Sequence, residues 1–172
     1  LLGRIHNVGA RNDAPARIRL TTQTYGRDNL QYLIDEEVLP PEARDGYAAG
    51  VNALLERIEP LFVDVPVHRV HGDCHLGNLI WTPRGPTFLD FDDSLVGPAV
   101  QDVWMLVPSA DDEGRRQREL LLEAYRQFRD FPSAWLRLVE PLRALRYIQY
   151  ATWIARRRHD PIFPRTWTHF GT

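Results

Sequence analysis

His71-Gly72-Asp73-Cys74-His75-Leu76-Gly77-Asn78, followed by Phe88-Leu89-Asp90-Phe91-Asp92-Asp93, is the stretch on which the reading of this chain turns. Within 23 residues it gathers four carboxylates, two histidines and an Asn amide. Leu79-Ile80-Trp81 and Thr87-Phe88-Leu89 are short apolar runs, and the Pro83-Arg84-Gly85-Pro86 between them is turn chemistry. The spacing predicts a small β-hairpin. Asp73 and Asn78 fall in the loop before it, and Asp90 at the end of its second strand. A hairpin brings its ends together, so the seventeen residues from Asp73 to Asp90 need not separate them in space.

The residue types fit one kind of chemistry. Asn78 offers an amide oxygen and Asp90 a carboxylate, and hard oxygen donors of this kind suit Mg2+, which keeps its other positions for water and phosphate. Asp73 is then free of the metal and can orient an attacking hydroxyl or accept its proton. A loop Asp, an Asn five residues on, and a metal-binding Asp after a hairpin is the order used in phosphoryl transfer.

Outward from this stretch the chain is mostly helical. Val67-His68-Arg69-Val70 reads as a strand. On the N-terminal side, Leu1 to His6 reads as the last turns of a helix and residues 7–27 as a long loop. Asn29 to Glu37 reads as a short helix closed by Pro40-Pro41. Glu42 to Phe62 contains an amphipathic helix with Val51, Leu54, Leu55, Ile58 and Phe62 on one face. On the C-terminal side, Val100 to Leu106 begins a helix. Glu113 to Phe128 forms another, with Leu120, Leu121, Ala124, Tyr125 and Phe128 inward. Trp135 to Arg158 is a helical stretch that Pro141 is expected to break in two. From Asp160 to Thr172 there is no regular pattern. The expected class is α+β, mainly α-helical, with the small β-hairpin carrying the site.

Composition excludes several functions. The chain has 172 residues, 21 basic and 23 acidic, for a net charge of −2, which argues against bulk nucleic-acid binding. A single cysteine excludes an internal disulfide framework and fits a reducing compartment. No apolar run approaches the roughly 20 residues of a membrane helix. These traits suggest a cytoplasmic protein that binds neither nucleic acid nor membrane. Every basic residue is arginine, so no mechanism can draw a lysine from this polypeptide. The chain opens on Leu1-Leu2-Gly3 and its one methionine is Met105, as expected of a piece of a longer protein.

The His-Gly-Asp with Asn after four intervening residues, and the later Asp, resembles the aminoglycoside phosphotransferase and choline kinase-like superfamily. Further stretches are similar to the bacterial stress response kinases, Ser/Thr protein kinases on the same fold. They are Leu2-Gly3-Arg4-Ile5-His6, Gly97-Pro98-Ala99-Val100-Gln101-Asp102, Glu140-Pro141-Leu142-Arg143 and Asp160-Pro161-Ile162-Phe163-Pro164. The resemblance implies a protein-kinase-like C-lobe and an ATP-dependent transfer of the γ-phosphoryl group to a hydroxyl, with Mg2+ as cofactor and ATP as co-substrate. It assigns proton acceptance to Asp73 and metal binding to Asn78 and Asp90. Asp102 matches an Asp that braces the catalytic loop through backbone hydrogen bonds, and His71 a His that packs under the metal-binding segment.

The resemblance also implies that residues 1–172 form the C-terminal, catalytic lobe, with the lysine-bearing ATP-binding lobe absent. The chain alone is then expected to be inactive. An apolar surface around Leu1, Leu2 and Ile5, left by the missing lobe, would favour self-association. The acceptor, a protein hydroxyl or a small aminoglycoside- or choline-type molecule, stays open. So do a two-metal phosphoesterase, suggested by the Asp and His cluster, and a non-catalytic binding lobe. For Asp92 and Asp93 a solvated or capping role is expected, for Cys74 an inert buried thiol, and for Arg156-Arg157-Arg158 a helix terminus that favours cations.

Overall fold

The fold is described from a computed structural model, which covers residues 1–160. The tail read as irregular lies, from residue 161, outside the described residues. Among the described residues there are six α-helices: α1 (Leu2–Gly9), α2 (Asp28–Asp35), α3 (Pro41–Ile58), α4 (Val100–Leu106), α5 (Asp112–Arg126) and α6 (Val139–Arg156). Between α3 and α4 lie four short strands, β1 (Val67–Val70), β2 (Leu79–Thr82), β3 (Gly85–Phe88) and β4 (Leu95–Pro98). β2 and β3 form the expected antiparallel hairpin, with Leu79 opposite Phe88 and Pro83-Arg84 at the turn. β1 pairs antiparallel with β4, Val70 opposite Leu95. The chain is therefore mainly helical with two small antiparallel sheets. No described helix is long and apolar enough to cross a membrane.

The chain divides into two units. One comprises Leu1–Leu20 and Val63–Val139, the other Thr21–Phe62 and the chain from Glu140 onward. In the first, Leu2, Val70, Leu95, Val100, Val103, Leu122, Phe131 and Leu138 are buried around the β1–β4 pair. α1 approaches β1 so closely that a Cβ at Gly9 would lie 2.0 Å from the Arg69 carbonyl oxygen, so only glycine fits there. In the second unit Leu30, Leu33, Leu55, Ile58, Leu142 and Leu145 are buried. Glu59 there ties two elements together: it accepts from Thr22 Oγ1 at 2.9 Å and pairs with Arg27 at 2.9 Å. The Arg156–Arg158 run also belongs to this unit. Arg156 sits over the Tyr32 ring, Arg157 over Trp153, and Arg158 pairs with Glu36 at 3.2 Å.

Several local expectations are corrected. Thr22–Arg27, read as part of a loop, is a single π-helical segment. Its start is fixed by a reciprocal cap between Thr21 and Thr24, which leaves no hydrophobic period to read. β4 was not foreseen, because all four of its residues are buried and show no alternation. In α5 the inward residues are Gly114, Leu122 and Tyr125, while Leu120 and Phe128 are exposed. The Leu120-Leu121-Leu122 run lets the apolar face be placed in more than one phase. Pro141 breaks nothing: it lies in the first turn of α6, where its missing N–H has no helical partner to lose. The break falls earlier, where a 3-10 segment (Ser133–Leu138) gives way to the helix. Leu2 is buried and belongs to the core, so it contributes nothing to an exposed apolar surface on α1. Leu1 and Val8 are the exposed apolar residues there.

Candidate active site

The site is built in the first unit where β1 ends. Val70 is the last residue of the strand, and the chain turns sharply through Gly72, whose φ is +86°. A Cβ at Gly72 would lie 2.4 Å from the Asp93 carbonyl oxygen, so the turn excludes a side chain as well as an ordinary φ. His71 is fully buried, tilted against Phe91 at 4.5 Å and edge-on to Phe88 at 5.7 Å. Its Nε2 lies 2.8 Å from the Leu89 carbonyl oxygen, and it donates there because a carbonyl only accepts. His71 therefore underlies the segment that continues into Asp90.

Beneath the loop sits Asp102, in α4 and wholly buried. Its Oδ2 accepts the His71 N–H at 2.8 Å and its Oδ1 the Gly72 N–H at 2.9 Å. The neighbouring Gln101 donates from Nε2 to the Gly72 carbonyl at 3.1 Å and accepts the Trp104 indole N–H at 3.1 Å. The peptide groups just before Asp73 are thus gripped on both their N–H and C=O sides. At this turn the groups are satisfied by side chains rather than by a strand, and the donors in turn offset the burial of the carboxylate.

Asp73 is largely sheltered, whereas His75 is half-exposed, with its Nε2 3.4 Å from Asp73 Oδ2. His75 caps the short 3-10 turn Leu76–Asn78 by accepting the Gly77 N–H on Nδ1 at 2.9 Å. That turn folds Asn78 back onto Asp73. Asn78 Nδ2 donates to the Asp73 carbonyl at 2.9 Å and lies 3.4 Å from Oδ2. Using its amide nitrogen this way leaves the Asn78 amide oxygen on the other branch, as an oxygen donor. The Leu89 N–H then bonds the Asn78 carbonyl at 2.8 Å, which brings the backbone beside Asp90 next to Asn78. Asp90 itself is exposed, with a left-handed φ of +59°, a conformation Asp tolerates better than most residues. Asp92 and Asp93 are exposed; the Asp92 carbonyl accepts from Arg17 at 2.7 Å.

Cys74 is fully buried beside this loop. Burial, with lesser contributions from Asp102 and Asp73, pushes its thiol far above the ordinary range, so no thiolate nucleophile is available. Among the described residues no three His, Cys, Asp or Glu side chains cluster as a metal site. The candidate oxygen donors are the Asp90 carboxylate and the Asn78 amide, with no imidazole or thiolate.

Sequence reasoning missed His6, Gln101 and Tyr125. His6 Nε2 lies 2.9 Å from Asp102 Oδ2, and its Nδ1 lies 2.8 Å from Tyr125 Oη, all buried. Burial raises the Tyr125 hydroxyl to about 12, which keeps it protonated and able to donate. His68, edge-on to His6 at 5.1 Å, has both ring nitrogens buried and unpartnered. Burial, with His6 and Arg129 nearby, lowers its pKa to about 3, so it is a neutral packing residue. The only sequence signals were a histidine on the inner face of α1 and an amide next to Asp102.

Comparison with known proteins gives the family. Residues 1–140 match the phosphotransferase enzyme family (APH). Stress response kinase A of Escherichia coli K12 is 37% identical over 165 residues, covering 95% of this chain and 50% of the relative. The Salmonella typhimurium protein named serine/threonine protein kinase RdoA is 36% identical over the same coverage. The chain therefore spans about half the length of the curated relatives it matches. Among solved structures, an amicoumacin kinase in complex with AMP-PNP and Ca2+ superposes with a TM-score of 0.64 at 21% identity. It covers 90% of this chain and 49% of its own, a likeness of fold. Matched across most of its length, the chain belongs to the APH phosphotransferase enzyme family.

Proposed function

We propose that this chain is the catalytic lobe of an ATP-dependent phosphotransferase that moves the γ-phosphoryl group of ATP to a Ser or Thr hydroxyl of a protein. One observation carries the reading: Asn78 is folded onto Asp73 through its amide nitrogen, at 2.9 Å from the Asp73 carbonyl, and its own carbonyl is tied to the residue before Asp90. On this reading a proton acceptor and two oxygen donors of differing type are drawn from one loop and the segment tied to it. The printed name of the Salmonella typhimurium relative, a serine/threonine protein kinase, supports the protein hydroxyl as acceptor.

The donor set suits a hard divalent cation. Asn78 Oδ1 and the Asp90 carboxylate would hold Mg2+, which when bound neutralises charge on the nucleotide phosphates. Asp73 accepts a hydrogen bond from the acceptor hydroxyl and aligns its oxygen for attack, taking the proton as the new bond to the γ-phosphorus forms and the bond from that phosphorus to the departing ADP breaks. The braced backbone at His71 and Gly72 holds Asp73 in place, so the alignment needs little reorganisation at the moment of reaction. No lysine is available to hold the phosphates, and arginine presents its charge as a planar fork rather than a compact ammonium. An ATP-binding lobe outside these residues would supply that group, and the chain alone is expected to turn over little or no ATP. A two-metal phosphoesterase fits less well, because His6 is committed to buried hydrogen bonds and His68 and His71 are enclosed.

The test is transfer of labelled γ-phosphate to protein acceptors and to small hydroxylated molecules. It is run on this chain alone and joined to its ATP-binding lobe. Label on Ser or Thr, lost by about a thousandfold in Asp73→Asn, supports the proposal. Label only on a small hydroxylated molecule would move the assignment to a small-molecule kinase. Phosphate ester hydrolysis without ATP would overturn it.

A further inference from the structure

Asp102 offers only two oxygens, yet three N–H groups converge on it. Oδ1 takes the Gly72 N–H, while Oδ2 is shared between the His71 N–H and His6 Nε2, at 2.8 and 2.9 Å. The two loop amides each hold one oxygen, and the third donor, from a different helix, adds a tie on Oδ2 that comes from outside the loop. Because a carboxylate only accepts here, the ring hydrogen is on Nε2, and Nδ1 is left to accept the Tyr125 O–H at 2.8 Å. Tyr125 is itself held by the Phe131 ring, edge-on at 5.6 Å. Three helices thus meet beneath the loop: α1 gives His6, α4 gives Asp102 and α5 gives Tyr125. All three side chains are buried, and His6 and Asp102 have no measurable exposure.

We propose that His6, oriented by Tyr125, is a positioning residue for phosphoryl transfer: it sets the Asp102 carboxylate and, through it, the peptide groups that place Asp73. This rests on the phosphotransfer reading above. His6 touches neither nucleotide nor acceptor, so its loss should act on alignment and leave nucleotide binding alone. An imidazole is suited to the task because it donates on one side and accepts on the other. An arginine, which carries donors only, could not take the Tyr125 hydrogen bond.

The variants are His6→Met, which fills similar volume without a ring N–H, His6→Gln, whose amide N–H can reach where Nε2 lies, and Tyr125→Phe. Two readouts are taken. The first is native-state amide exchange at His71 and Gly72, measured against Val96, whose N–H bonds the Ile18 carbonyl away from Asp102. In His6→Met the two loop amides should exchange roughly tenfold or more faster relative to Val96. In His6→Gln they should stay within about threefold of the wild type, and Tyr125→Phe should fall between. The second readout is phosphotransfer in the protein joined to its ATP-binding lobe. His6→Met should lower kcat by about 10- to 100-fold with KM for ATP within about twofold, and His6→Gln should restore most of it.

Loop and reference amides that speed up together would show a general structural role and overturn the proposal. So would unchanged exchange at His71 and Gly72, or a loss carried by KM. If the wild-type protein transfers no phosphate at all, the functional reading falls by itself. The exchange ratio then still decides whether His6 sets the loop.

Discussion

The loop that carries Asp73 and the segment that carries Asp90 are neighbours in the fold, yet they are held in different ways. His71, Cys74 and Asp102 have no measurable exposure, and each peptide group leading to Asp73 meets a buried side-chain partner. Across from them, Leu89 and Phe91 are more than two-fifths exposed, and Trp81 on the hairpin is 78% exposed. That side is fastened mainly through backbone: Leu89 to Asn78, and the Leu89 carbonyl to His71. The Asp73 side is thus preorganised by a dry polar network. The Asp90 side stays open to solvent, which on the proposed reading would let it admit a hydrated cation and a charged nucleotide.

If this contrast is right, substitutions on the buried side should cost stability and those on the open side should cost only ligand binding. Asp102→Ala is the severest case. It strands the His71, Gly72 and His6 N–H groups in a dry interior, and we expect a loss of about 3–5 kcal/mol in chemical denaturation. A loss below about 1 kcal/mol would break the contrast. Gly72→Ala comes next. It forces a side chain into a φ of +86° and against the Asp93 carbonyl, for an expected cost of about 2–3 kcal/mol.

The pH dependence of the buried side sharpens the comparison further. His68 has a folded pKa of about 3 against an ordinary value of 6.5. Above the unfolded value both states are neutral and nothing is lost. As pH falls below it, the unfolded chain binds a proton that the folded chain refuses, so stability declines until about the folded value. At pH 5 this group alone should remove about 1–2 kcal/mol, and His68→Leu should flatten that part of the curve in paired denaturation series at pH 7 and pH 5. A profile identical to wild type would show that His68 is charged or solvated in the folded state.

On the open side the effects should shrink. Trp81→Ala should change stability by less than about 0.5 kcal/mol. Asp90→Gly should be neutral or slightly stabilising, within about 0.5 kcal/mol, because glycine adopts the left-handed φ of +59° freely. The same variant should nonetheless lose divalent-cation affinity by calorimetry. Destabilisation by Asp90→Gly as large as that of Gly72→Ala would mean that both sides of the site are equally built in.

The sequence alone determined much of the local structure. Contiguous signals were legible: the Pro-Arg-Gly-Pro turn between two apolar runs gave the hairpin, and the periodicity from Val51 to Ile58 gave α3. The residue types from His71 to Asp90 and their spacing named the candidate chemistry, because an Asp, an Asn and a second Asp are scarce combinations around one hairpin. What the tertiary structure decided was everything that depends on partners far along the chain. β4 is a strand only because β1 offers it hydrogen bonds, and its four buried residues carry no alternating pattern. Tyr125 was legible as an inward residue of α5, but its bond to His6, 119 residues away, was not, and the triple leucine before it left the phase of the face open. His6 itself looked like one more residue on a helix near the N-terminus. A buried histidine takes its role from whatever donor and acceptor the fold brings to its two nitrogens, here Asp102 and Tyr125, and no local pattern encodes that meeting.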